Sequence, residues 1–246
     1  MYMYGLIGKT LVHSFSKNFF TEKFKRDGID DKYELFELPE IEQFRDLVDN
    51  VPLNGLNVTI PYKEQVMQFL DEIDETAKAI NAVNTVKFMR KADGSLFLKG
   101  YNTDVIGFSE SLRPLLKNYH THALVLGTGG AAKAVAYALG KLGIGYKFVS
   151  REKRGDNFSY GELDEKILQK YLLIVNCSPL GTFPNVDAAP DIPYQFLGAE
   201  HLLYDLVYNP EKTLFMKKGE AQGTVVKNGL EMLHGQALAA WDIWQR

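Results

Sequence analysis

A chain of 246 residues, 46% hydrophobic and 24% charged, has the make-up of a globular protein with room for one large core or two modest ones. A net charge of −3 excludes a global pull toward nucleic acid or an anionic membrane, and a single cysteine, Cys177, excludes an intrachain disulfide. No basic segment followed by a long apolar run opens the chain and no stretch has the length of a membrane span, so a soluble cytoplasmic protein without nucleic-acid or membrane partners is expected.

Taken in chain order, residues 2–7 read as a strand and 16–26 as a helix. Residues 33–38 set apolar side chains at strand spacing, and a helix over about 41–48 follows. Strands at 55–60 and 83–89 come next, the second closed by the turn residues Ala92-Asp93-Gly94. That alternation predicts a mostly parallel sheet covered by helices. A second unit starts near Asp104 with a helix to about residue 118. The apolar strand 122–126 then runs into Gly127-Thr128-Gly129-Gly130, followed by a helix over 131–142 and a strand over 146–149. Later strands are expected at 172–175, 202–204 and 224–226, and a final apolar helix, 230–244, is expected to pack back on the first unit. No repeat or Ser/Gly-rich linker marks the boundary.

The segment Asn57-Val58-Thr59-Ile60-Pro61-Tyr62-Lys63 sets polar groups into an apolar stretch. Alternation puts Asn57 and Thr59 on one strand face, and Pro61 suits the first turn of a helix, where its missing N–H would be unpaired anyway. A helix continuing through Lys63-Glu64-Gln65-Val66 would hold Lys63 at the strand's carboxyl end, where open α/β sheets bind ligands. A plain turn carrying a solvated lysine fits the same residues.

Gly127-Thr128-Gly129-Gly130-Ala131-Ala132 fits G-x-G-x-x-A, the dinucleotide fingerprint, in its required context of a strand before and a helix after. The first glycine permits the tight turn, the second lets a pyrophosphate approach, and unpaired N–H groups at the helix start face the anion. After the next strand stands Ser150-Arg151-Glu152-Lys153-Arg154 in place of the acidic residue that holds the ribose of NAD. Arg151, helped by Lys153 or Arg154, suits the 2′-phosphate of NADP, although Glu152 would repel it and a solvated basic loop reads the same way.

His13-Ser14-Phe15-Ser16 would point two hydroxyls together if extended, or Ser16 would be the N-cap of the following helix. Asn102-Thr103-Asp104 could likewise be a helix cap. His120 and His122 could share a strand face, but no third ligand accompanies them and no metal site is expected.

In this order the motifs resemble the shikimate dehydrogenase family, also called shikimate/quinate dehydrogenases. The matching segments are His-Ser-Phe-Ser (13–16), Asn-Val-Thr-Ile-Pro-Tyr-Lys (57–63), Ala-Val-Asn-Thr (82–85) and Asn-Thr-Asp (102–104). Gly-Thr-Gly-Gly-Ala (127–131), Asn-Cys-Ser-Pro-Leu-Gly (176–181), Tyr-Asp-Leu-Val-Tyr-Asn-Pro (204–210) and Asn-Gly-Leu-Glu-Met-Leu-His-Gly-Gln-Ala (228–237) continue the set. The resemblance implies NADPH-linked, reversible reduction of 3-dehydroshikimate to shikimate, a step toward aromatic amino acids. It also implies an α/β fold of two domains with the active site in the cleft between them. Residues 1–103 would be the substrate-binding domain with a mostly parallel sheet, 104–227 a Rossmann-like NADP-binding domain, and 228–246 a C-terminal helix returning to the first.

By the family pattern Lys63 and Asp104 would be the catalytic pair. Ser14, Ser16 and Thr59 would hold the substrate carboxylate, with Tyr208 close to it, and Asn84, Asp104 and Gln236 would hold ring hydroxyls. Gly127, Gly129, Gly130, Ala131, Ser150, Arg151 and Arg154 would contact the dinucleotide, with Gly229 beside the nicotinamide. Cys177 falls near the cofactor, and a small buried side chain is its simplest reading.

Three departures from the family bear on cofactor affinity and selectivity rather than on the catalytic pair. The chain reads as short for the family, with the C-terminal extension after Trp244 expected to be lacking; 151–172 leaves little room for the helix that usually follows the second nucleotide-domain strand; and Asn-Arg-Thr stands here as Ser150-Arg151-Glu152. A quinate/shikimate dehydrogenase using NAD, or a metabolite-sensing module on the same scaffold, are the competing readings, and both a monomer and a homodimer fit.

Overall fold

Alternating side chains of the first strands divide between two apolar layers. In β1 (Met3–Gly8) Tyr4 and Leu6 point to one side and Ile7 to the other, and in β2 (Lys32–Glu37) Tyr33 and Phe36 divide likewise. The computed structural model describes residues 1–11, 14–153 and 155–246, in two units: Met1–Thr103 with Ala237–Arg246, and Asp104–Gln236. The expectations for His13 and Arg154 therefore lie outside the described residues.

The first unit continues with α1 (Phe15–Asp27), α2 (Phe44–Asn50), β3 (Gly55–Val58), β4 (Glu72–Ile73), α3 (Glu75–Ile80), β5 (Thr85–Arg90) and β6 (Leu96–Tyr101). Its sheet runs β2-β1-β3-β5-β6-β4. β1 pairs in parallel with β2 and β3, and β4 with β6, while β5 is antiparallel to both β3 and β6. The hairpin partner β6 has no counterpart in the sequence reading, because Lys99 and Gly100 interrupt its alternation. One face packs on Ile7, Leu56, Val58 and Val86; the other holds Phe20, Phe24 and Tyr33 with Ala237, Ala240 and Trp244. Trp244 Nε1 donates to the Val86 carbonyl at 3.1 Å, fastening the chain's last turn of helix to β5.

The second unit contains α4 (Asp104–Leu112), β7 (His122–Leu126), α5 (Gly130–Lys141), β8 (Gly145–Ser150), β9 (Phe158–Ser159), α6 (Glu165–Lys170), β10 (Leu173–Asn176), β11 (Leu202–Asp205), α7 (Leu214–Glu220) and β12 (Val225–Lys227). α8 (Leu230–Gln245) starts here, and the unit boundary falls inside it, after Gln236. All five strand pairings are parallel, in the order β12-β11-β10-β7-β8-β9. Counted from β7, this is the doubly wound order 3-2-1-4-5-6, whose direction reverses between β7 and β10. Alternation again separates Ala123, Val125 and Tyr204 from Leu124, Leu126 and Leu203, giving an apolar layer on each face. No helix occupies 151–157 among the described residues; the short α6 follows β9 instead. Among the described residues no helix is long and apolar enough to cross a membrane.

Candidate active site

In the first unit the expected functional side chains collect where β1 and β3 end. β3 stops at Val58, and Thr59 N–H still bonds the Ile7 carbonyl at 2.9 Å. The chain then turns: the Ile60–Pro61 peptide is cis, Tyr62 N–H returns to Thr59 O at 2.9 Å, and residues 60–64 form turns. This corrects the expected helix start at Pro61. A trans proline at the first helical position does not occur, and regular structure resumes only as a 3₁₀ helix at Gln65–Phe69. Lys63 is half-buried on this turn, and its carbonyl accepts from Val83 N–H at 2.7 Å. That bond ties the lysine's backbone to the segment carrying Asn84.

Ser14, not Ser16, caps α1: its backbone is extended and its hydroxyl accepts from Lys17 N–H at 3.3 Å. Ser16 is buried in the first helical turn, so the extended arrangement expected to aim both hydroxyls together is absent. The Ser16 hydroxyl instead meets Tyr33, whose ionisation burial pushes far above its ordinary range. Tyr33 donates to Asn57 Oδ1 at 2.8 Å, and Asn57 Nδ2 reaches the Asn84 carbonyl at 3.3 Å and Thr85 Oγ1 at 3.2 Å. Asn84, 3% exposed, accepts on Oδ1 from Thr103 N–H at 2.7 Å and Thr85 Oγ1 at 3.0 Å. Asn102 Nδ2 donates to the Ala82 carbonyl at 2.9 Å. A neutral chain of hydrogen bonds thus runs from the start of α1 to Thr103. Asn57 stands out in the sequence as a polar group in an apolar strand but has no role assigned there, and Tyr33 looks like an ordinary strand residue.

In the second unit the fingerprint sits at the reversal of strand order. Gly127 follows β7 with φ at +119°, a conformation that L side chains rarely adopt, and a Cβ there would touch the Cys177 backbone at 3.4 Å. Gly129 is the N-cap of α5, Gly130 and Ala131 form its first turn, and Ala132 is buried against the sheet. A Cβ placed on Gly129 would meet nothing within 4 Å, so the loop faces open space. Thr128, Ser150, Arg151 and Glu152 line an adjoining cavity of about 440 Å³. Ser150 Oγ donates to the Glu152 carbonyl, and Arg151 is exposed. Lys153 is bound to Glu162, whose carboxyl it holds down at about 2, so the expected help from Lys153 gives way to Arg151 as the cavity's cation among the described residues. The glycine loop, the helix start behind it and this cavity fit a dinucleotide with an anionic group at the Arg151 end.

Asp104 is the first residue of α4 and only 6% exposed. One turn on, Gly107 lies against α8: a Cβ there would come within 2.3 Å of the Met232 carbonyl and 2.8 Å of Gln236 N. The bare glycine lets the two helices touch, which sets the start of α4 beside the turn of α8 bearing Gln236. The Gln236 amide donates to the Leu233 carbonyl at 3.1 Å. Tyr208 is half-buried in the loop after β11, and burial raises its pKa. Gly229 is held to that loop by its N–H bond to the Val207 carbonyl at 3.1 Å. Burial, with Asp205 nearby, pushes the Cys177 thiol well up, which suits a neutral structural side chain. Both ring nitrogens of His120 are engaged, with Lys117 N–H and the Glu200 carbonyl, each at 3.0 Å.

Residues 6–86 match the profile of the shikimate dehydrogenase substrate binding domain. A shikimate dehydrogenase (NADP(+)) of Clostridium beijerinckii is 39% identical over all of this chain and 92% of its own length. Another, of Caldicellulosiruptor saccharolyticus, is 37% identical over 97% of this chain and 90% of its own. The crystal structure of a chorismate mutase/shikimate 5-dehydrogenase fusion protein from Clostridium acetobutylicum superposes with a TM-score of 0.85 at 37% identity, covering 99% of this chain and 90% of that one. With a buried polar network at the ends of the first sheet and a dinucleotide fingerprint on a doubly wound second sheet, the chain belongs to the shikimate dehydrogenase family.

Proposed function

We propose that this chain catalyses the reversible, NADPH-dependent reduction of 3-dehydroshikimate to shikimate, with Lys63 and Asp104 as its catalytic pair. The observation that carries the reading is the pairing, in one chain, of the family's Lys63 turn with a glycine loop whose cavity is lined by Arg151. When bound, the reduced dinucleotide supplies the hydride. Hydride arriving at a carbonyl carbon leaves negative charge on oxygen, and Lys63 meets that charge and donates the proton. Asp104 orients the lysine and binds a ring hydroxyl. Ser14, Ser16 and Thr59 bind the substrate carboxylate through neutral hydroxyls, adding no second cation beside the lysine, with Tyr208 closing on the same carboxylate. Asn84 and Gln236 take the remaining hydroxyls. Gly127, Gly129, Gly130 and Ala131 cradle the pyrophosphate, Gly229 flanks the nicotinamide, and Ser150, Arg151 and Arg154 take the 2′-phosphate end.

Absorbance of the reduced cofactor, followed with shikimate and either NADP+ or NAD+, tests the reading. Reduction of NADP+ is expected, with Arg151→Ala eroding the preference over NAD+. Lys63→Ala is expected to lower kcat by about 100- to 10,000-fold with the fold intact. Near-normal turnover in that variant would remove Lys63 from the chemistry, and no reduction of either dinucleotide by folded wild-type protein would refute the activity.

A further inference from the structure

The last residue of β11, Asp205, is 0% exposed and belongs to no part of the machinery assigned above. Its carboxylate accepts from three separate segments: Asn176 Nδ2 at the end of β10 (2.9 Å), Val207 N–H in the loop leading to Tyr208 (3.0 Å), and Thr213 Oγ1, the N-cap of α7 (2.6 Å). None of these donors is a cation. Asn176 passes the constraint on, because its Oδ1 accepts from both Ser178 N–H (3.0 Å) and Ser178 Oγ (2.6 Å). Cys177 N–H in turn bonds the Leu126 carbonyl at 2.9 Å, and the Cys177 backbone is what lies 3.4 Å from a Cβ built on Gly127. Phe183 N–H and the Asn209 carbonyl close the loop after β10 onto the loop after β11 at 3.0 Å. One carboxylate therefore sets the loop after β10, which borders the glycine turn, and the loop after β11 that is tied to it.

A charge buried among neutral donors costs stability, and burial here lifts the Asp205 carboxyl from 3.8 to about 6. Chains carry such local conflicts where function requires the geometry they impose. The place fits: ligands of doubly wound sheets lie beyond the carboxyl ends of the strands at the reversal of order, and Asp205 braces the strand ends beside it. We propose that Asp205 is the positioning residue of the dinucleotide crevice, tying the loop after β11 to the loop after β10 and so fixing the latter against the glycine turn, without touching the cofactor. The assignment rests on the dinucleotide occupying that crevice.

Calorimetric titration of NADP+ and, separately, shikimate into wild type, Asp205→Asn, Asp205→Leu and Thr213→Val tests it. Asp205→Leu should weaken NADP+ binding at least tenfold and shikimate binding clearly less, since of the groups assigned to the substrate only Tyr208 stands in a loop that Asp205 holds. Asp205→Asn should stay within threefold of wild type for both, because its amide oxygen still accepts from Asn176 and Val207 and its NH2 can donate to Thr213. Thr213→Val, losing one of three bonds, should fall between them. Wild-type NADP+ affinity in folded Asp205→Leu, or equal losses for NADP+ and shikimate, would overturn the assignment. If Asp205→Leu does not fold, unchanged NADP+ affinity in Thr213→Val overturns it. Wild-type protein that binds neither NADP+ nor NAD+ would bring down the cofactor reading and this assignment together, whereas normal wild-type binding with an indifferent Asp205→Leu removes the assignment alone.

Discussion

Each unit fastens the ends of neighbouring strands with buried polar side chains, and the two do so with different electrostatics. The first uses Ser16, Tyr33, Asn57, Asn84, Thr85 and Thr103, amides and hydroxyls that carry no charge. The second uses Asn176, Asp205 and Thr213, with a carboxylate at the centre and only neutral donors around it. Buried neutral groups are costly only when a partner is lost, so the first network should be indifferent to pH. A buried carboxylate is costly whenever it is ionised, so the second should not be. The same architectural task thus leaves a pH signature in one unit and none in the other.

The largest effect should come from removing the hub of the neutral network. Asn57→Leu strips a donor from Thr85 Oγ1 and the Asn84 carbonyl and leaves the Tyr33 hydroxyl facing an apolar side chain. A loss of about 3–5 kcal/mol is expected, equal at pH 5 and pH 8, by urea unfolding followed at both values. A loss below about 1 kcal/mol would mean the network contributes little to holding these strand ends.

Next in size is the acid response of Asp205. Its folded pKa of about 6 lies above the ordinary 3.8, so between those values the folded chain holds a proton that the unfolded chain has released. Stability contributed at this site is therefore greatest below pH 4 and falls as pH rises to 6, by up to about 3 kcal/mol. Asp205→Asn has no proton to lose. The difference in unfolding free energy, variant minus wild type, should swing in the variant's favour by that amount between pH 4 and pH 7. A flat difference would mean that Asp205 stays ionised throughout the range and that its three donors outweigh its burial.

What could be seen from sequence follows the same division between local and distant causes. The strand over 122–126 and the glycine turn after it were legible because alternation and fingerprint are contiguous, and the observed β7 has those bounds. The turn at 59–64 was not, because Pro61 suits a helix start equally well and nothing local reveals its cis peptide. Strand β6 was hidden by Lys99 and Gly100, and it is pairing with β5 that makes it a strand. The local segment marks Lys63 as a candidate at a strand's carboxyl end, but its pairing with Asp104 comes only through resemblance, since residues far apart in sequence show no spacing that would join them. Asp205 stands in the 204–210 motif but takes no role from sequence, because its side-chain partners stand 29 residues before it and 8 after it.

The smallest effect, and the one that best separates fold from site, belongs to Tyr33. Its hydroxyl joins Ser16 in the first turn of α1 to Asn57 in β3, and burial raises its pKa so far that it stays neutral across the working range. Tyr33→Phe keeps the ring, including its stacking on Phe20 at 4.6 Å, and removes only the oxygen. The expected cost is about 1–1.5 kcal/mol at both pH 5 and pH 8, the ordinary worth of a buried hydrogen bond whose partner keeps other contacts. If Ser16 binds the substrate carboxylate, its hydroxyl must be aimed, and Tyr33 is a group that aims it. Shikimate affinity should then fall several-fold in Tyr33→Phe while NADP+ affinity is unchanged, the reverse of the pattern expected for Asp205→Leu. A variant that lost stability yet bound shikimate normally would confine the neutral network to holding the fold.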